Sequence, residues 1–336
     1  MAADLKDKNN FPIEMILQVL DSSHADWVQG GTFQDLRNAS TYFERSAMYL
    51  SPPPKNFSAL TWGSKLVRIS KKQDILFSSM TPAQNFFRVK DFMNHSGTLG
   101  LWFTHKDGSF SRKELSILQK MDLVFVHSWA AEELLKNLTP ARIVRTVGGI
   151  DPVRFSRPAI RGKRIVWVGT PVNRKRPEVL IEMIQKFPEE NFRIVGKNWE
   201  NSMYWPTLNL HQNVEYVELT GPLASSHLDG CDIFLMTSRI EGGPMPLMES
   251  VAAGLSPVIT TKTGFTEDIL QICGMPEIYS GVSPSGIFSE ISKIRKQMKA
   301  FNERSRLSIL EYSFDKQARI IAEAFQESNS QECAAK

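Results

Sequence analysis

Cysteine is scarce in this sequence, and long apolar runs are missing. The three cysteines among the 336 residues, Cys231, Cys273 and Cys333, lie far apart without a CxxC spacing, which argues against a disulfide framework and against a zinc knuckle. No stretch reaches the roughly 18 uncharged apolar residues that a membrane-spanning helix requires. The first ten residues mix acidic and basic side chains, unlike a secretory signal. Together these absences predict a cytoplasmic protein.

Several motifs are also absent. No two aspartates are two positions apart, so the chain has no metal-binding DxD pair, and no metal site is predicted. No predicted strand is followed by GxGxxG, which disfavours a nicotinamide-dependent dehydrogenase. The net charge of +4 is too small for a nucleic-acid footprint, so no nucleic-acid partner is expected. The excess lies within residues 1–150 and suits an anionic substrate, an anionic membrane surface to which the protein would be peripheral, or a solvated helix face.

The length and the hydrophobic pattern predict two α/β domains. A chain of 336 residues is too long for one ordinary core. Short apolar, β-rich runs alternate with helix-like segments, as in βαβ units with parallel sheets. We expect two Rossmann-like, doubly wound domains facing a cleft. Their predicted bounds are residues 1–155 and 156–315, followed at 316–336 by a C-terminal helix that crosses back to the first domain, and a tail.

The individual elements follow from the same alternation. Strands are expected at residues 15–20, 47–50, 74–78, 99–103, 122–127, 143–147, 164–168, 192–195, 214–217, 233–237 and 257–260. Helices are expected at residues 32–43, 58–70, 82–93, 111–120, 129–135, 177–187, 246–253, 289–301 and 315–325. Sheets of this kind bind ligands at the carboxyl ends of their strands, so the residues that follow the strands are the candidates for function.

The segment 238–254, SRIEGGPMPLMESVAAG, is the most specific pattern in the chain. It follows the apolar strand DIFLMT, and its glycine pair at 242–243 allows a sharp turn close to a ligand. Pro246 suits the first turn of a helix, whose free N–H groups form an anion site. Glu241 and Glu249 flank this helix start, and a carboxylate can bind both hydroxyls of a vicinal diol. The pattern fits a nucleoside-diphosphate sugar, with an acidic first turn that complements the helix dipole as the structural alternative.

The run E-G-G-P-x-P-L-x-E, followed by a helix of small residues, resembles the E-x7-E motif of the retaining glycosyltransferases of the GT-B fold, family 4 in particular. The resemblance implies that Glu241 holds the donor sugar and that Glu249 holds the ribose diol. It also implies that the backbone between them contacts sugar and phosphate, through the donor-binding residues Gly242, Gly243, Pro244, Met245, Pro246 and Leu247. Supporting matches run from about Met15 to Phe325.

A basic loop after the first strand of the second half is similar to the family's G-R-x-x-x-x-K-G loop, whose Arg and Lys neutralise the diphosphate. Lys175 falls on the Lys position. Thr170 stands where the family has Arg, and the sequence leaves open whether Arg174 or Arg176 replaces it. The donor-binding residues that this part of the chain adds are Gly169, Thr170, Arg174, Gly196 and Lys197, the last two near the expected place of the base or the diphosphate.

The first half adds weaker matches. Gly30 and Gly31 match the family's glycine pair facing the diphosphate and acceptor, although such a pair also occurs in ordinary turns. His105 ends a strand where the family commonly has T-x-H-D with the His near the donor sugar, but here a lysine separates the His from the Asp. His127 also ends a strand, and a lone His is more often structural. Residues 148–155 are similar to the family's N-G-x-D-x-x-x-F signature, with Gly in place of Asn.

The resemblance implies a metal-independent transferase that moves a sugar from a UDP- or GDP-linked donor to a hydroxyl acceptor, which is a glycan, a lipid-linked molecule or a small molecule. No cofactor is expected beyond this co-substrate. The predicted catalytic residues are Glu241, Lys175 and His105, with attack and retention on one face of the sugar and the acceptor proton passing to the leaving phosphate. Two alternatives stay open: a nucleotide-sugar epimerase, similar to the UDP-N-acetylglucosamine 2-epimerases, and a non-catalytic sugar-nucleotide-binding protein.

Overall fold

The computed structural model describes residues 14–19, 45–50, 74–93, 95–104, 108–275, 279–297 and 301–334. Backbone contacts divide the chain into two compact units. The first comprises Met1–Gly149 together with Phe314–Lys336, and the second comprises Ile150–Ser313. Within the described ranges, no helix is both long enough and apolar enough to cross a membrane.

The first unit is built on a six-stranded sheet with the order β2-β1-β3-β4-β5-β6, and all its neighbouring strands are parallel. The strands are β1 (Glu14–Val19), β2 (Arg45–Leu50), β3 (Asp74–Phe77), β4 (Leu99–Phe103), β5 (Leu123–Val126) and β6 (Arg142–Arg145). Each confirms a predicted strand, with small shifts at the ends. The order reverses because β3 adds on the far side of β1, as in a doubly wound sheet.

Alternating side chains of β3, β4 and β5 supply two cores, one on each face of the sheet. Ile75 lies on the face that is covered by three helices, which are α1 (Met80–Met93), α2 (Arg112–Leu118) and α3 (Trp129–Leu135). Leu76 lies on the opposite face, in a cluster with Phe325 of the C-terminal helix α10 (Phe314–Ala334). A Cβ atom at Gly100 would lie 2.7 Å from the Phe325 ring, so this glycine lets α10 pack closely on the sheet.

The second unit is built on a five-stranded parallel sheet with the order β11-β10-β7-β8-β9. Its strands are β7 (Arg164–Val168), β8 (Phe192–Gly196), β9 (Val214–Glu218), β10 (Cys231–Met236) and β11 (Ser256–Ile259). Its helices are α4 (Pro177–Lys186), α5 (Trp205–Leu208), α6 (Met245–Ala252), α7 (Thr266–Ile272), α8 (Pro284–Gln297) and α9 (Phe301–Leu310). The strand order reverses between β7 and β10, which places the carboxyl ends of these two strands side by side.

The core of the second unit follows from helical spacing. Helix α8 buries Ile287, Ile291 and Ile294, which recur at intervals of three or four residues and therefore share one helix face. They pack in one cluster with Ile165 of β7 and Leu180 of α4. This core holds β7 in place beneath the loop that follows it.

The observed helices differ from the predicted ones at a few places. The single turn of α5 and the helices α7 and α9 were not predicted. Helix α8 begins at Pro284, ahead of the predicted start at residue 289, because the Ser283 hydroxyl caps it by accepting the Gly286 N–H at 3.2 Å. The predicted helices at residues 32–43 and 58–70 lie outside the described residues.

Candidate functional site

The candidate site lies at the carboxyl edge of the second unit's sheet, where the loop after β7 meets the loop after β10. Two hydrogen bonds join these loops: the Thr237 hydroxyl donates to the Lys175 carbonyl (2.5 Å), and the Arg239 N–H donates to the Arg174 carbonyl (2.7 Å). A small cavity lies between the loops, and Lys175 is part of its lining. The topology thus brings together two segments that are more than 60 residues apart in the sequence.

Glu241 forms the centre of this site. Its side chain is buried, and its Oε1 atom accepts hydrogen bonds from Lys175 Nζ and from the Ser238 hydroxyl, each at 2.8 Å. The other oxygen, Oε2, accepts from Arg174 Nη1 at 2.5 Å. Two of the residues that the sequence predicted separately, Lys175 and Arg174, therefore contact the same carboxylate.

Glu241 is ionised at neutral pH. Burial by itself would raise the pKa of this carboxyl, but the charges of Lys175 and Arg174 and the hydrogen bonds from Lys175 and Ser238 outweigh burial and lower the pKa to about 2. One carboxylate between two cations leaves the group with a net positive charge. Such a group can bind an anion and still offer carboxylate oxygens to hydroxyl donors.

The motif loop is held by the segment that follows β11. The Thr263 hydroxyl accepts the Glu241 N–H at 2.6 Å. Gly264 adopts a positive φ of +56°, and a Cβ atom there would lie 2.7 Å from the Gly242 carbonyl oxygen and 2.8 Å from that of Glu241. Gly264 therefore lets the two loops approach more closely than any side chain would allow.

The start of helix α6 has fewer free backbone N–H groups than the sequence analysis expected. The Met245 N–H donates to the Gly243 carbonyl and the Leu247 N–H to the Pro244 carbonyl, each at 2.8 Å. Pro244 and Pro246 have no N–H to offer. The N–H groups of Met245 and Leu247 are therefore already bonded within the turn. Among residues 243–247, Gly243 is the one whose N–H donates to no carbonyl in the backbone hydrogen bonds that the structure describes. The contacts of residues 243–247 with sugar and phosphate, which the resemblance implies, stay a prediction.

Glu249 lies within α6 and is buried. Arg154 Nη1 lies 3.4 Å from Glu249 Oε1, and the same nitrogen donates to the Leu223 carbonyl at 2.9 Å. Burial raises the pKa of the Glu249 carboxyl to about 7, although the Arg154 charge and hydrogen bond act against that rise. The two glutamates of the motif therefore differ: Glu241 is ionised throughout the physiological range, whereas Glu249 titrates within it.

Arg154 is the residue that the sequence reasoning missed. The 148–155 signature contains it, three positions after Asp151, but the predictions gave it no role. Arg154 Nε lies 3.2 Å from Asp151 Oδ2. A local signal for such a pair existed, because Asp and Arg three residues apart can contact each other on one turn, but Glu249 is 95 residues away in the sequence.

The predicted glycines at 169 and 196 are explained by close packing. Gly169 has a φ of +151°, and its carbonyl accepts the Trp199 Nε1–H at 2.9 Å. A Cβ atom at Gly196 would lie 1.9 Å from that same carbonyl oxygen. A Cβ atom at Gly169 would lie 2.9 Å from Lys175 Cδ. Both glycines thus shape the backbone beside Lys175.

The structure separates the two arginines that the sequence left open. Arg174 contacts Glu241, whereas Arg176 Nη1 donates to the Thr261 hydroxyl at 3.1 Å. Thr170 is half-buried, and its carbonyl accepts the Val172 N–H at 2.8 Å within the loop. Lys197, directly after β8, is likewise partly buried.

The structure describes only some of the candidate site residues of the first unit. Gly30, Gly31 and His105 lie outside the described residues. His127 is buried at the end of β5, with its Nδ1 atom 3.1 Å from the Thr146 carbonyl. Burial lowers the pKa of His127 to about 4 against the opposing effect of this hydrogen bond, so the ring is neutral at neutral pH. Among the residues that the structure describes, no group of three or more His, Cys, Asp or Glu side chains could hold a metal ion.

Comparison with known proteins finds a matching family and a curated relative. Residues 162–277, roughly a third of the chain, match the family "Glycosyl transferases group 1". The UDP-N-acetylglucosamine–peptide N-acetylglucosaminyltransferase GtfA subunit of Streptococcus pneumoniae is 23% identical over 167 residues, which cover 46% of this chain and 32% of that subunit. The chain therefore spans about a third of the length of this curated relative.

Solved structures share the fold at low sequence identity. The pneumococcal O-GlcNAc transferase GtfA, in complex with UDP and GlcNAc, has a TM-score of 0.62 at 16% identity, over 80% of this chain and 59% of that one. Anabaena HepE, in complex with UDP-glucose, has a TM-score of 0.70 at 12% identity, over 93% and 99%. Sucrose-phosphate synthase from Thermosynechococcus elongatus has a TM-score of 0.66 at 15% identity, over 96% and 99%. These neighbours have the GT-B fold, which confirms the predicted α/β fold class with parallel sheets.

Proposed function

We propose that the chain is a glycosyltransferase that moves a sugar from a nucleoside-diphosphate sugar to a hydroxyl acceptor, with retention of the anomeric configuration and without a metal ion. The observation that carries this proposal is the buried Glu241 carboxylate, bound by Lys175 and Arg174 at the carboxyl edge of a parallel sheet. The match of residues 162–277 to glycosyl transferases group 1 supports it. The UDP and UDP-glucose in the pneumococcal and Anabaena structures favour a UDP-linked donor over a GDP-linked one.

The charged side chains of the site contact different parts of the donor. We assign Lys175 and Arg174 to the diphosphate. In the family that the motif resembles, an Arg stands at the position of Thr170, and here Arg174 takes the role of that Arg. Glu241 accepts hydrogen bonds from hydroxyls of the donor sugar, because its low pKa keeps it ionised. Glu249 accepts from the ribose diol.

The proposed reaction breaks the bond between the anomeric carbon and the diphosphate oxygen, and the electron pair of that bond stays on the diphosphate. Lys175 and Arg174 stabilise the negative charge that develops there, and their preorganised positions make this stabilisation effective. The acceptor hydroxyl attacks from the face that the diphosphate leaves, and its proton passes to the leaving phosphate oxygen. The new carbon–oxygen bond therefore keeps the original configuration, and Glu241 stays a hydrogen-bond acceptor and forms no covalent intermediate.

The test is donor turnover by the full chain. UDP-glucose, UDP-N-acetylglucosamine and GDP-mannose are offered with hydroxyl acceptors, and released nucleoside diphosphate is measured. Glu241→Gln and Lys175→Ala are each expected to lower turnover by about a hundredfold, the usual loss when a preorganised group is removed. Glu290→Gln and Lys293→Ala remove the partners of a surface ion pair on α8 (2.6 Å) and are matched controls with wild-type turnover. Wild-type turnover in both site variants would remove the assignment.

Product analysis separates the transferase from the two alternatives. A transferase needs an acceptor to form its main product, and NMR of that product shows the anomeric configuration of the donor. An epimerase forms a new sugar nucleotide without any acceptor. A non-catalytic protein binds UDP without turning over any donor. Turnover that persists in EDTA supports the metal-independent reaction, and its loss in EDTA, with recovery on adding Mg²⁺, would contradict it.

A further inference from the structure

Arg154 is fixed in place by contacts to three parts of the second unit. Its Nε atom lies 3.2 Å from Asp151 Oδ2, and Asp151 is itself fixed, because its Oδ1 accepts the Val153 N–H at 2.9 Å. Its Nη1 atom donates to the Leu223 carbonyl at 2.9 Å. The side chain is 19% exposed. These contacts leave the guanidinium little freedom to turn.

The same Nη1 atom lies 3.4 Å from Glu249 Oε1. The contact is long for a hydrogen bond, but both side chains are largely buried, where an ion pair is screened less than at the surface. The Glu249 carboxylate thus has a fixed positive charge on one side. Because Nη1 also binds the Leu223 carbonyl, Arg154 does not close over both carboxylate oxygens, which leaves acceptor positions on Glu249 for a ligand.

We propose that Arg154 is the positioning residue for Glu249, orienting its carboxyl group and favouring the ionised form so that it can bind a vicinal diol. This inference rests on the proposed function, in which Glu249 receives the ribose of the donor. A protonated carboxyl has one oxygen that donates, so it binds two hydroxyls less well than a carboxylate does. Arg154 therefore sets the pH above which the nucleotide binds well.

The elements that pack against α6 carry other charged groups. Helix α9 packs against α6 and carries Glu303, Arg304 and Arg306. Arg306 donates to the Phe155 carbonyl at 2.8 Å and pairs with Glu303. The strands β10 and β11 also contact α6; Asp232 of β10 pairs with Arg295, and β11 carries no ionisable side chain. Cys231 of β10 is neutral at neutral pH, since burial raises the pKa of its thiol to about 11.

The test compares nucleotides with and without the diol. Binding of UDP and of 2′,3′-dideoxy-UDP to the full chain is measured by calorimetry between pH 5.5 and 9, for the wild type and for Arg154→Gln, Arg154→Lys and Glu249→Gln. Burial raises the pKa of Glu249 to about 7 even with Arg154 present. Without Arg154 we expect a further rise of about one unit, which lowers the ionised fraction at pH 7, and with it UDP affinity, by about fivefold. Arg154→Lys keeps the charge and is expected to restore most of the wild-type profile.

Each outcome is decisive. An upward shift of the pH midpoint for UDP in Arg154→Gln, with no such shift for dideoxy-UDP, supports the positioning role. An unchanged midpoint, with affinity lost equally for both nucleotides, would show that Arg154 is merely structural and would overturn the inference. Failure of the wild type to bind UDP or GDP at any pH contradicts the proposed function instead. UDP binding that Glu249→Gln leaves intact contradicts the assignment of Glu249 to the ribose.

Discussion

The Glu241→Gln substitution removes the negative charge from the cluster of Glu241, Lys175 and Arg174 while it keeps the size of the side chain. In the wild type, the pKa of Glu241 falls from 4.5 to about 2 on folding, because the two cations and the Ser238 hydroxyl outweigh burial. A shift of that size corresponds to about 3 kcal/mol of folding free energy. Lys175 and Arg174 are mostly shielded, at 13% and 31% exposure, so solvent screens this interaction only in part.

The lowered pKa of Glu241 determines how its contribution to the free energy of unfolding changes with pH. A carboxyl whose pKa is lowered in the folded state contributes its full stabilisation above the unfolded value, and the contribution is lost as the pH falls from 4.5 to about 2. The free energy of unfolding of Glu241→Gln should therefore lie about 3 kcal/mol below that of the wild type at pH 7. The gap should narrow by about 1.4 kcal/mol per pH unit below pH 4.5.

Urea unfolding followed by tryptophan fluorescence measures this gap, since Trp167 and Trp199 lie in the core beneath the site. Glu290→Gln is the matched control, because it breaks a surface pair on α8 and should change stability by less than about 1 kcal/mol. A gap between Glu241→Gln and the wild type that stays constant from pH 7 to pH 3 would refute the ionic account of the cluster.

Two further predictions concern glycines. Gly264→Ala should lower donor turnover by about tenfold or more, because its Cβ would lie 2.7 Å from a backbone carbonyl of the motif loop. Gly274→Ala is the control, because Gly274 has a similar φ of +59° but no atom within 4 Å of its Cβ position, and its donor turnover should be that of the wild type. Equal turnover in the two variants would contradict the close-packing role of Gly264. Gly196→Ala should lower the free energy of unfolding by about 2 kcal/mol, since its Cβ would lie 1.9 Å from a backbone oxygen. Gly221→Ala, whose Cβ would meet no atom within 4 Å, should leave the free energy of unfolding unchanged in the same urea measurement. A neutral Gly196→Ala would show that the backbone relaxes there at no cost.

Most strands of the two sheets could be predicted because they contain short apolar runs between turn residues, whereas β6 and β9 also carry exposed charged residues. Arg164–Val168 and Phe192–Gly196 are almost fully buried, so nearly every position in them is apolar, and that pattern needs no knowledge of the partner strand. The reversal point between β7 and β10 then follows from general sheet topology. The two motif loops were found for the same reason, since each directly follows one of these strands.

The contacts within the site could not be predicted in the same way. The sequence placed Lys175 and Glu241 in one site but gave no sign that Arg174 and not Arg176 contacts Glu241. It also gave no sign that Arg176 adopts a positive φ of 51°. The Arg154–Glu249 contact joins residues far apart in the chain and leaves no local pattern.

The amides of helix α6 were predicted from helix geometry and from the family resemblance. In an ideal helix start the first N–H groups are free, but the run PMP removes two of them and forms a tight turn with carbonyls of its own. Lys175 and Arg174 supply positive charge at this edge of the sheet through their side chains.

A crystal structure of the full chain with bound UDP tests the central claim most directly. The account predicts the diphosphate within hydrogen-bond distance of Lys175 and Arg174, and both ribose hydroxyls on the Glu249 carboxylate. Density for UDP at another place, or a ribose that points away from Glu249 while the diphosphate leaves Lys175 untouched, would contradict it.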